Sequence, residues 1–172
     1  MNGIGIRSGL CLLLPLAAIT AASAPDPAKT LAGRYDREFP DAMMDGTTYV
    51  GRDIVEIVPV GPGAAYVRMA LDFANGHSCS FAHVAVREGS SLVYRGDDDD
   101  ATGGRRCTLT IGRAGASLAW HEDAAGTCAY YCGARGTLAQ GAVPWRSKRA
   151  ITYLARLRTS STYRSALSAW HR

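Results

Sequence analysis

The sequence predicts a mainly β fold: a small antiparallel β-barrel of about eight strands with a C-terminal helical segment. Three observations predict it. Short runs that alternate apolar and polar residues recur between residues 31 and 120. Glycine-rich turn signals separate these runs. Past Pro144-Trp145 the alternation stops and a helical period takes over.

Leu31-Ala32-Gly33-Arg34-Tyr35 begins the strand set, and Asp53 to Val60 is a further strand ended by the turn Gly61-Pro62-Gly63. Tyr66 to Phe73 alternates cleanly, with Val67, Met69, Leu71 and Phe73 on one face. Asn75-Gly76 follows as a hairpin signal, because both residues tolerate positive φ. The return strand runs from Cys79 to Arg87, Glu88-Gly89-Ser90 makes the next turn, and Ser91 to Arg95 is a short strand. Arg106 to Gly112 places Cys107, Leu109 and Ile111 together, and Leu118 and Trp120 share a face of the next strand.

In the tail, Ile151, Leu154 and Ala155 fall on one side of a predicted helix, with Lys148, Arg149, Thr152 and Arg156 opposite. Thr159-Ser160-Ser161 interrupts it and supplies a cap for a second helix. There Tyr163, Ala166, Leu167 and Trp170 form one apolar stripe. The expected role of this stripe is packing on the body, and the alternative is a docking arm for an anionic surface.

The first residues read as an export signal. Arg7 precedes the apolar stretch from Leu10 to Ile19, and Ala21-Ala22-Ser23-Ala24 offers small residues for cleavage. The expected organisation is a signal peptide over 1–23, a disulfide-stapled barrel over 24–143 and a basic amphipathic tail over 144–172. No run is long enough for a membrane-spanning helix, so the chain is expected not to be transmembrane. Two lysines against seventeen arginines is the usage of a GC-rich bacterial genome, which makes the expected location periplasmic or secreted.

Export decides how cysteine is read. Cys11 leaves with the signal, and Cys79, Cys107, Cys128 and Cys132 are expected to form two disulfides. Residues four apart on an extended strand lie about 13 Å apart, too far to bridge, but a tight loop brings them together. The favoured pairing is Cys79–Cys107 with Cys128–Cys132; the alternative sends Cys128 and Cys132 to different strands.

Charge is split along the chain. Residues 24–143 carry eleven basic and fifteen acidic residues, a net of −4, whereas residues 144–172 carry seven basic and none acidic. An acidic body suits a basic protein partner by electrostatic steering. Asp97, Asp98, Asp99 and Asp100 are the candidate contact loop, without the alternate spacing that calcium loops need. Arg135, Arg149, Arg156 and Trp170 complete the candidate binding residues. No nucleophile is paired with a base by spacing, so no catalytic residue, cofactor or metal is assigned. Nucleic acid is not an expected partner. A metal-dependent hydrolase using His77, His83 and His121 is a competing reading, and a carrier barrel with apolar or glycan cargo is another.

The segment Cys128-Ala129-Tyr130-Tyr131-Cys132-Gly133-Ala134-Arg135-Gly136, after strands and an earlier cysteine, resembles small exported bacterial proteins of the periplasmic lysozyme-inhibitor type. Gly33-Arg34-Tyr35 is similar to the opening of such barrels. The resemblance covers roughly Leu31 to Leu138 and leaves the tail outside it. It implies a compact barrel that binds a basic protein or a cell-wall component without catalysis.

Overall fold

The structure, a computed structural model, describes residues 24–96 and 106–171. Its sheet has eight antiparallel strands in sequence order. These are β1 (Gly33–Ala42), β2 (Thr48–Gly61), β3 (Ala64–Phe73), β4 (His77–Glu88), β5 (Ser91–Arg95), β6 (Thr108–Ala114), β7 (Ser117–Glu122) and β8 (Gln140–Pro144). The sheet curls into a nearly closed barrel. The segment just after β8 makes the closure, where Arg34 and Arg149 exchange two backbone hydrogen bonds of 2.9 Å.

Alternation fills the interior. Tyr35, Val55, Ile57, Val67, Met69, Leu71, Phe81, Leu92, Leu109, Ile111, Leu118, Trp120 and Val143 form one buried cluster. Burying side chains of this size is the main force holding the barrel together. Gly141 sits directly opposite Trp120, and a Cβ there would collide with the indole. A helix of one turn, α1 (Pro27–Thr30), corks one end and buries Ala28 and Leu31. It forms there because Asp26 caps it, accepting from the Ala28 amide at 3.0 Å, and Pro27 presets its first φ.

The tail forms α2 (Leu154–Thr159) and α3 (Ser161–Trp170). The Ser160 hydroxyl caps α3, accepting from the Tyr163 amide at 3.2 Å, as Thr159-Ser160-Ser161 predicts. Leu157, Tyr163 and Ala166 bury themselves against Val58 and Tyr66 on the outer face of β2 and β3. The stripe therefore packs on the body. Trp170, its last member, stays 39% exposed. Helix begins later than the periodicity predicts. Lys148 and Arg149 are extended, because Arg149 pairs with β1 and its guanidinium meets the Asp36 carboxylate at 2.6 Å.

The disulfides correct the favoured pairing. They join Cys79 to Cys132 and Cys107 to Cys128, with Cα–Cα distances of 4.0 and 4.8 Å. Two facts explain it. β5 lies between β4 and β6, so Cys79 and Cys107 are not on neighbouring strands. The 3₁₀ turn over Ala129–Tyr131 separates Cys128 from Cys132 and lets each reach a different strand.

Candidate binding site at the long-loop end

An antiparallel meander places alternate connections at opposite ends, and here the two ends differ. At the α1 end the connections are the two-residue turns 62–63, 89–90 and 115–116. Each contains a glycine at positive φ: Gly63, Gly89 and Gly115. At the other end they are residues 43–47, 74–76 and 123–139, and the connection between β5 and β6 leaves and returns there at Gly96 and Cys107. Binding residues gather on loops held by a rigid scaffold, which marks the long-loop end as the candidate site.

Covalent and buried anchors hold the longest of these loops. β4 pairs with β5 only from Val86 to Glu88, so the two strands part towards the long-loop end. The 123–139 loop fills the split. Its Gly133 amide donates to Ser78 O at 2.8 Å, and its two disulfides tie it to β4 and to the start of β6. Leu138 drops fully into the core. The buried Glu122 carboxylate accepts from the Cys128 amide at 2.9 Å and from the Thr127 hydroxyl at 3.1 Å. Phe81, His83, Tyr94 and Tyr131 pack ring against ring inside the split, and the Tyr94 and Tyr131 hydroxyls are 2.8 Å apart.

The β1–β2 hairpin projects beyond its neighbours. The ladder of β2 with β1 runs from Thr48 onwards, whereas the ladder of β2 with β3 starts only at Ile54. Side chains replace the missing ladder: the Arg52 amide donates to Asp72 Oδ2 at 2.8 Å, and the Asp72 amide donates to Asp53 Oδ1 at 3.2 Å. Tyr49 braces the hairpin, its hydroxyl donating to Asp41 Oδ2 at 3.0 Å and accepting from the Gly76 amide at 3.1 Å. Asn75 and Gly76 do take positive φ, as their sequence predicts. The Asn75 side chain then accepts from the Met44 amide at 3.1 Å. The tip presents apolar surface, with Met44 78%, Val50 66% and Met43 40% exposed.

Below the hairpin a cavity of about 320 Å³ opens into the barrel mouth, lined by Phe39, Asp41, Asp53, Asp72, Trp120 and Gln140 among others. Asp53 points inward and Arg37, its direct cross-strand partner, donates to it. Burial pushes the Asp53 carboxyl above the usual carboxylate range, against the pull of Arg37. The Trp120 Nε1–H is buried with no hydrogen-bond partner among the described residues.

The sequence-derived candidates scatter. Asp97, Asp98, Asp99 and Asp100 lie outside the described residues, though Gly96 and Cys107 at the base of their loop are joined by a 2.8 Å hydrogen bond at this same end. Arg135 is exposed on the 123–139 loop, also at this end. Arg149 is engaged with Asp36, Arg156 lies over the Tyr153 ring at 5.4 Å, and Trp170 rests near Gly61. Each of the three therefore rests against a partner of its own. His77 and His83 are on β4 while His121 is exposed on β7, three strands away. Among the described residues no group of three or more His, Cys, Asp or Glu side chains is placed to hold a metal ion. No helix among them is long and apolar enough to cross a membrane. Sequence reading missed the hairpin tip; Met43-Met44 followed by the turn signal Asp45-Gly46 was the available sign. No protein family, curated protein or solved structure matches this chain.

Proposed function

We propose that this chain is an exported, non-enzymatic binding protein of the lysozyme-inhibitor kind, which grips a basic protein partner with its long-loop end. The observation that carries the reading is the hairpin tip: Met44 and Val50 stand exposed on a hairpin that also carries Asp41 and Asp45 and is braced by side-chain hydrogen bonds. A rigid apolar point flanked by carboxylates suits insertion into a cleft with a basic rim. Two disulfides fit an oxidising compartment, so the export signal over 1–23 and the disulfides support one address, the periplasm or the outside. The buried cluster that fills the middle of the barrel favours a gripping surface over a barrel that carries cargo inside.

Titration against basic bacterial and hen-type lytic enzymes tests this. The expected result is a complex at micromolar concentrations, inhibited glycan hydrolysis, and loss of both in the double variant Met44→Asp, Val50→Asp with unchanged melting. The rate of association should fall as salt rises. Absence of both complex and inhibition contradicts the reading. A small ligand co-purifying in the mouth cavity would favour a carrier instead.

A further inference from the structure

We propose that a second site, in the cleft between α2, the start of α3 and the outer face of β2–β3, binds a single phosphate group. The cleft is about 280 Å³ and is lined by Glu56, Arg68, Tyr153, Arg156 and Thr162 among others. Its one carboxylate is already answered. Glu56 is fully buried and accepts from Arg34 at 3.2 Å, from Arg68 at 2.8 Å and from the Tyr153 hydroxyl. One negative charge thus stands against two guanidinium groups in that network, and Arg156 adds a third positive charge at the rim. Arg156 is exposed, has no carboxylate partner among the described residues, and lies over the Tyr153 ring. Arg68 uses one terminal nitrogen on Glu56, and its side chain remains 36% exposed. The remaining donors, the Arg156 fork and the Thr162 hydroxyl, border the same small space. A planar guanidinium suits bidentate contact with phosphate oxygens. The first turn of α3, whose amides open beside Thr162, adds field of the same sign.

Inorganic phosphate and lipid phosphate present the same chemistry, and the experiment separates them. The full-length mature protein is titrated with inorganic phosphate while the backbone amides of Ser161 and Thr162 are followed by NMR. We expect these shifts to saturate with one dissociation constant in the range of about 1 mM. Arg156→Gln should weaken binding by about tenfold, whereas Arg158→Gln, exposed on the same helix but outside the cleft, should leave it unchanged. Vesicles of phosphatidylglycerol and of phosphatidylcholine form the second arm. Retention on phosphatidylglycerol that depends on Arg156 and not on Arg158 assigns the ligand to a lipid headgroup. Arg156-dependent binding of free phosphate without such retention assigns it to a soluble phosphate. Shifts that stay linear to about 20 mM phosphate, or equal weakening by the two variants, would overturn the site.

Discussion

Arg34 and Glu56 lie directly opposite each other on β1 and β2, and Arg68 lies directly opposite Glu56 on β3. The three form a charged row across the outer face, and Tyr153 closes over its centre. Glu56 is fully buried, so its charge depends on these partners. Glu56→Ala strands two guanidinium groups beneath the tail and should cost about 3–5 kcal/mol in chemical denaturation. The variant carrying Arg34→Met and Glu56→Met together should recover much of that loss. Equal loss in the two variants would show that the pair itself, not its balance, is stabilising.

Tyr66 makes the opposite case. Its hydroxyl is buried without a partner among the described residues, against Tyr163 with ring centroids 4.8 Å apart. Burial pushes its pKa up to about 12. Tyr66→Phe keeps the ring contact and removes a desolvated group, so it should be neutral or stabilising by up to about 1 kcal/mol. A clear fall in melting temperature would reveal a partner for that hydroxyl.

Acid should loosen the barrel seam. The Arg149 guanidinium holds the Asp36 carboxyl below its ordinary range through paired hydrogen bonds. A lowered folded pKa contributes stability above the unfolded value, and that stability is lost as pH falls through the folded value. The advantage of the native chain over Asp36→Asn should therefore be present at neutral pH and vanish in strong acid. Asp53 has a raised pKa from burial, so its sign reverses. The native chain should gain relative to Asp53→Asn as pH falls. Melting curves of the three proteins across the acid range check both slopes.

The two disulfides should differ in weight. Cys79–Cys132 spans 53 residues and Cys107–Cys128 spans 21. Chain-entropy arguments give about 4 and about 3 kcal/mol respectively. Paired serine variants, measured by denaturant unfolding, should follow that order. Peptide mapping without reduction should return these pairs and no Cys128–Cys132 peptide.

Much of the fold was legible where one face alone is buried. Val67, Met69 and Leu71 of β3 alternate as the sequence predicts and fill the interior. β8 carries no such pattern, because Val143 is its only fully buried residue and Gly141 lies beneath Trp120. The outer half of β1 was hidden by its charges, which pair across to β2 as Arg37 with Asp53 and Glu38 with Arg52. The run Val55-Glu56-Ile57-Val58 is buried on both faces, a sign that a second layer covers that part of β2. The cysteine pairing was open in the sequence because it depends on strand order, which periodicity does not encode. The candidate site was mostly hidden for the same reason: four connections share one end only once the meander is known.

The most direct test of the account is hydrogen exchange on the complex with a basic lytic enzyme. New protection is expected over residues 39–50 and 72–76, at the long-loop end. Protection confined to the short turns around Gly63, Gly89 and Gly115, or none at any enzyme concentration, would contradict it.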